Sequence, residues 1–172
     1  MRKVLFIFGQ LTDGDVEWIA RNGKRKRLSA KTELIREGVP VETLYIVLEG
    51  ELSVVHGKTR KQIARLGAGE IVGEMSFIDA RPPSATVLAA TDVVVCAIPK
   101  RELARGLEQN VAFAARFYKA VATFLSDRVR KATAHEEGGD RNDEDELDEA
   151  VLDNLDRAGA RFNDLSRLLL DG

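Results

Sequence analysis

Cysteine is nearly absent from this chain of 172 residues: one, Cys96, lies in the apolar run TDVVVCAI. A lone thiol forms no internal disulfide, so Cys96 reads as a small buried hydrophobe in a reduced compartment. Histidine is almost as scarce, with His56 in an expected turn and His135 in an expected linker. No His, Cys and carboxylate grouping has metal-site spacing, no serine stands in a pattern with a base, and no phosphate-binding glycine loop is present. The chain is therefore expected to be no enzyme and to carry no metal or cofactor. Long apolar runs are missing too. The start, MRKVLFIFG, falls short of the roughly 7–15 apolar residues of a secretory segment, and nothing approaches the ~20 of a membrane span. A cytoplasmic protein with no membrane partner is expected. The charge balance, 26 basic against 28 acidic residues, offers no strong field toward nucleic acid.

What is present is enough apolar side chain, 44%, for one core. Thr12 or Asp13 can cap a short helix through DGDVEWIARN, with Val16, Ile19 and Ala20 on one face and Asn22-Gly23 as its stop. The following KRKR, residues 24–27, reads as a solvated edge just before a strand rather than as an anion-binding patch. From about 28 to 99 the chain breaks into short β-branched segments separated by glycine, proline or aspartate. His56-Gly57 reads as a hairpin turn and Gly67-Ala68-Gly69 as a tight corner. Many short strands at this rhythm predict a mainly β fold with flanking helices: a β jelly-roll barrel followed by a long helix and a helical tail.

The long helix, about 107–133, carries two apolar stripes. One is Phe113, Phe117, Ala120 and Phe124. The other is Leu107, Val111, Ala114, Tyr118, Val121 and Leu125, spaced 4-3-4-3-4. Two stripes need two covering surfaces. The barrel covers one, and the heptad spacing favours a homodimer through the 107–125 helix over a single wide core face. Residues 134–149 read as an acidic flexible linker, mobile and open to proteases. Residues 150–170 read as an amphipathic C-terminal helix with Val151, Leu155, Phe162, Leu165 and Leu169 on one side. That helix either folds back onto its own barrel, the favoured reading, or docks on a protein partner.

The runs LIREGVPVETLYIVLEGELSVV and LGAGEIVGEMSFIDARPPSATV, with a helix after IPKREL, resemble the cyclic nucleotide-binding domain family. The resemblance is to the catabolite activator and cyclic-AMP-dependent kinase regulatory subunit type, and covers about residues 10–133. It implies a regulatory, signalling module that binds cyclic AMP or another cyclic nucleotide and moves its long helix on closure. It also implies a phosphate cassette opened by Gly73 and Glu74, with Glu74 accepting from a ribose hydroxyl and amides near Met75 and Ser76 facing a phosphate. An arginine nine residues after the glutamate would pair with that phosphate, followed by Ser84, Ala85 and Thr86. Here the ninth residue is Pro83, which has neither charge nor amide hydrogen. Arg81, two residues earlier, is either a substitute cation or, as favoured, a solvated loop residue. Glu74, with no ribose to hold, would cap a nearby amide or pair with Arg81. The part of the long helix that closes the site falls near Arg128 and Val129, which are not small hydroxyl residues. Weak or altered cyclic nucleotide binding is expected, with a vestigial pocket on a protein-interaction scaffold as the alternative. The residues after Thr133 are acidic and too few for an activator-type helix-turn-helix, so no DNA partner is expected.

Overall fold

The computed structural model describes residues 7–136 and 149–170. Its first complete helix, α1, is Asp13–Asn22, and its start is set by a reciprocal cap. The Thr12 hydroxyl accepts from the Asp15 amide at 3.3 Å, while the Asp15 carboxylate accepts from the Thr12 amide at 2.8 Å. Val16 and Ile19 face the core, and Gly23 ends the helix by donating its amide to the Ile19 carbonyl. A Cβ at Gly23 would run into the Cys96 sulfur, so this corner requires glycine. Burial pushes the Cys96 thiol up to about 12, which leaves it inert as read from the sequence.

Eight antiparallel strands form two four-stranded sheets. The first has the order β1 (Lys24–Leu28), β8 (Val93–Pro99), β3 (Thr43–Glu49), β6 (Ile71–Val72). The second has the order β2 (Glu33–Ile35), β7 (Thr86–Ala89), β4 (Leu52–Val55), β5 (Gln62–Leu66). This is a jelly-roll-like β fold with flanking helices. Alternation along β3 divides the core in two. Tyr45 and Val47 point between the sheets with Leu52, Val54 and Val72, while Ile46 and Leu48 point outward against the helices. The basic run does not precede a strand; it is the edge strand β1, paired with β8 from Lys24↔Ala97 to Leu28↔Val93. Its four charged side chains are exposed, in keeping with a charged edge strand that resists pairing with another chain.

The long helix expected over about 107–133 is present, but it starts later than expected, after a break that separates it from a shorter helix. Helix α3 runs Lys100–Gln109 and α4 runs Val111–Glu136, broken at Asn110. The Asn110 side chain accepts from the Phe113 amide at 2.9 Å and so starts a new helix. The expected stripe is split accordingly. Leu107 belongs to α3, and Val121 is 2% exposed inside the chain's own core, whereas Val111 is 79% exposed. Helix α4 buries Phe113, Phe117, Ala120, Val121 and Phe124 against the outer face of the first sheet. It is tied to α1 by a two-point ion pair: Arg116 donates to both Asp15 oxygens, at 2.7 and 2.9 Å. Burial would raise the Asp15 pKa, but the Arg116 and Thr12 hydrogen bonds outweigh it and hold the carboxyl below its ordinary value.

Helix α5, Glu149–Leu170, packs on α1 and on the β1 edge. Phe162 meets Phe8 edge-to-face at 5.4 Å, and Arg161 donates to Asp13 and to the Phe8 carbonyl. Arg25 of β1 donates to the Leu170 carbonyl, placing a cation at the helix's C-terminal end. The part of the stripe from Ala158 to Leu169 thus rests on its own chain. Most of the expected linker, residues 137–148, lies outside the described residues, and so does its expected mobility.

Leu165, on the inner face of α5, is fully buried. Leu165→Ala should cost about 3 kcal/mol and lower Tm by about 6–12 °C in a thermal melt. An unchanged Tm would mean that α5 does not rest on this body.

Candidate functional site

The site begins where β6 stops after two residues. Gly73 follows with φ +91, a conformation that favours glycine, and a Cβ there would stand 2.9 Å from the Thr43 carbonyl oxygen. This turn starts α2, Glu74–Asp79, which ends at Ala80 with φ +57. Phe77 anchors α2 to α4 through an edge-to-face contact with Phe117 at 5.9 Å and a stack on Tyr118 at 6.5 Å. The cassette is thus held between the sheets on one side and α4 on the other.

Beneath it lies a cavity of about 240 Å³. Ile35, Val54, Leu66, Val72 and Val87 give it an apolar floor; Glu74, Ser76, Ser84 and Arg128 supply polar groups. Glu74 is 3% exposed. Its Oε1 accepts from Arg128 Nη1 at 2.8 Å, a contact that reaches from α2 to α4. The guanidinium also lies over the Phe124 ring, 5.4 Å from its centroid. Burial raises the Glu74 pKa, offset in part by Arg128, by backbone hydrogen bonds at Glu74 and Gly73, and by Lys100. Burial lowers the Lys100 pKa, offset in part by Glu42, Asp79 and Glu74, and Lys100 does not line the cavity.

Most of the expected cassette residues line this cavity: Gly73, Glu74, Met75, Ser76, Arg81, Pro83, Ser84 and Ala85. Thr86 does not. It is buried facing the other way, its Oγ1 accepting from the Glu37 amide at 3.1 Å, because strand alternation puts Ala85 and Val87 on the cavity side. Met75 borders the cavity but is 52% exposed. Of the two expected partners of Glu74, a nearby amide and Arg81, the backbone at Gly73 and Glu74 does hydrogen-bond it, whereas the place of Arg81 is taken by Arg128. Arg81 has an 84% exposed side chain and faces Asp79, with its amide donating to the same carboxylate at 3.0 Å. Pro83 holds the loop by accepting from the Gly38 amide at 2.9 Å. Arg128 was noted in the sequence only for lacking a small hydroxyl. The missed signal was its charge, on the helix expected to close the site and opposite a carboxylate in need of a cation. Among the described residues no group of three or more His, Cys, Asp or Glu side chains could hold a metal ion. Among them, too, no helix is long and apolar enough to cross a membrane.

The profile of the cyclic nucleotide-binding domain family matches residues 25–110. The CRP-like protein Clp of Xanthomonas campestris pv. campestris is 27% identical over 128 residues, which is 72% of this chain and 56% of that protein. The chain therefore spans little more than half the length of the CRP-like relatives it matches, and a smaller share of the kinase relatives. Among solved structures, a cyclic nucleotide-binding domain from Methylobacillus flagellatus superposes with a TM-score of 0.70 at 23% identity, covering 78% of this chain and 80% of that one. The c-di-GMP-responsive global regulator CLP of X. campestris superposes with a TM-score of 0.61 at 27% identity, covering 72% and 64%.

Arg128→Met keeps an unbranched apolar stem but removes the guanidinium from Phe124 and strands the Glu74 carboxylate. The expected loss is about 2–3 kcal/mol, below that of a fully buried pair because the Arg128 side chain is 31% exposed. Because the Glu74 pKa is already raised, and rises further without Arg128, the loss should be largest at neutral pH. It should shrink as falling pH protonates Glu74. Glu74→Gln in the same chain should restore most of it in urea unfolding. A loss independent of both pH and Glu74 would show that the pair does not matter to the fold.

Proposed function

Because the chain belongs to the cyclic nucleotide-binding domain family, we propose that it is a non-catalytic regulatory module whose cavity takes a small ligand and reports it through α4. The observation that carries this reading is the Glu74–Arg128 pair, in which the cassette and the helix meet inside the cavity. A ligand entering there must share or displace that pair, so occupancy and helix position are linked through differential binding. The relatives support a regulatory role: they include CRP-like proteins and a regulatory subunit of cyclic-AMP-dependent protein kinase. The alternative, a scaffold with its C-terminal helix held out for a partner, finds that helix already engaged by α1.

Cyclic AMP and cyclic GMP bind weakly on this reading. Pro83 brings no cation to the cavity, and Arg81 is turned to Asp79. A lost charge-assisted contact to phosphate is worth roughly 1.5–3 kcal/mol per bond, so binding weakens by about one to four decades. A relative is described as c-di-GMP-responsive, so ligand identity varies within the fold family. Calorimetry should find Pro83→Arg at least tenfold tighter for cyclic AMP than wild type. A wild-type Kd at or below about 1 μM would overturn the weak-binding reading.

Dimerisation belongs to the same proposal, on a different seam from the one expected. Val111, Ala115, Tyr118, Ala122, Leu125 and Val129 follow α4 at spacings of 4, 3, 4, 3 and 4, and all are exposed or partly exposed. Small and large side chains alternate at first, so a second copy could seat its tyrosine against the first copy's alanines. Ala122 is exposed, so Ala122→Glu should leave the monomer's melt unchanged while abolishing a dimer in light scattering. A wild type that is monomeric at tens of micromolar would remove this seam.

A further inference from the structure

The cavity's cations are taken, and so are the first amides of its short helix. Arg128 is held by the buried Glu74, while the exposed Arg81 faces Asp79. Two carboxylates and two guanidinium groups thus line the cavity in balance. The Glu74 carboxylate also accepts from the backbone at Gly73 and Glu74, the donors at the head of α2. The floor is aliphatic, formed by Ile35, Val54, Leu66, Val72 and Val87. An anion set on that floor gives up its hydration and gains no free cation among the described residues. Two hydroxyls are left over. Ser76, half-buried, and Ser84, exposed, line the cavity, and neither side chain bonds to another described residue. A cavity of about 150 Å³ with apolar walls holds one benzene ring. One of about 240 Å³ therefore has room for one ring or two fused rings.

Resting on the ligand-binding reading above, we infer that the preferred ligand is an uncharged aromatic molecule of one or two fused rings, with a single hydroxyl or ring N–H at its edge. The rings lie on Val54, Leu66 and Val87, where burial of apolar surface drives binding without any charge to match. Arg128 lines the cavity too, and a guanidinium packs well against an aromatic face, which favours a flat ring over a saturated one. The edge hydroxyl or N–H meets Ser76 or Ser84 at the mouth, since a serine hydroxyl both donates and accepts. The Glu74–Arg128 pair stays intact on this reading, and the ligand touches both the cassette and α4.

Calorimetry on the full chain tests this with 2-naphthol, 2-naphthoate, decahydro-2-naphthol, cyclic AMP and cyclic GMP. At neutral pH 2-naphthol is uncharged and 2-naphthoate is an anion of nearly the same shape. We expect 2-naphthol to bind at least tenfold tighter than 2-naphthoate and than either cyclic nucleotide, and at least threefold tighter than its saturated counterpart. Pro83→Arg supplies the missing cation, so it should narrow the gap between 2-naphthol and 2-naphthoate. In nuclear magnetic resonance, ring protons of bound 2-naphthol should show nuclear Overhauser effects to methyl groups of Val54, Leu66 and Val87. A wild type that binds 2-naphthoate or a cyclic nucleotide as tightly as 2-naphthol would overturn the inference while leaving the cavity a ligand site. The saturated alcohol binding as tightly would overturn the choice of an aromatic ligand. Binding of 2-naphthol without contacts to those methyl groups would place the ring elsewhere and overturn the inference too. No binding by any of the five would overturn both this inference and the ligand-binding reading on which it rests.

Discussion

A carboxylate that is 3% exposed needs partners for its charge, and in this protein the cation among them comes from 54 residues away. That contact pins the far half of α4, whose near half is seated by its buried phenylalanines. With Arg128 drawn to Glu74, the helix covers the cassette, Phe77 lies between Phe117 and Tyr118, and the cavity gains its only buried polar corner among the described residues. Gly73 serves the same end from below. Its left-handed turn lets the chain leave β6 and aim Glu74 inward, hard against the Thr43 carbonyl.

The other helices hold α4 in that place from its near end. Asp15 both caps α1 and grips Arg116, so one side chain serves the start of one helix and the seat of another. Gly106 lets α3 pass close to Trp18, since a Cβ there would run into the indole ring. Helix α5 then covers the outer side of α1 through Phe162 and Arg161. Residues from the two ends of the described chain thus brace the element that closes the cavity.

What could be read in the sequence was what is local. The Thr12 cap, the alternating strands and the glycine corners are each set by a few neighbouring residues, and they stand where their patterns placed them. The cassette was legible for the same reason, except at Thr86, where the alternation starting at Ala85 should have turned the side chain away. The long helix stands where it was expected except at its start, which falls after Asn110 because the 4-3-4-3-4 spacing runs unbroken across that residue. An asparagine three residues ahead of Phe113 is a cap signal, but a weaker one than the stripe. The Glu74–Arg128 pair had no local signal at all. It depends on how the helix is laid across the barrel, which the sum of packing contacts decides.

The break at Asn110 gives α4 unequal leverage along its length. At 1.5 Å per residue, Arg116 is roughly 9 Å from the break and Arg128 roughly 27 Å. A pivot of about 5° at Asn110 therefore shifts Arg116 by less than ~1 Å, which its two bonds to Asp15 can absorb. The same pivot carries Arg128 through ~2.4 Å, far enough to part it from Glu74. The two arginines on this helix thus act at different mechanical advantage: the near one is a fulcrum clamp, and the far one is the pointer that a small change of angle is enough to move.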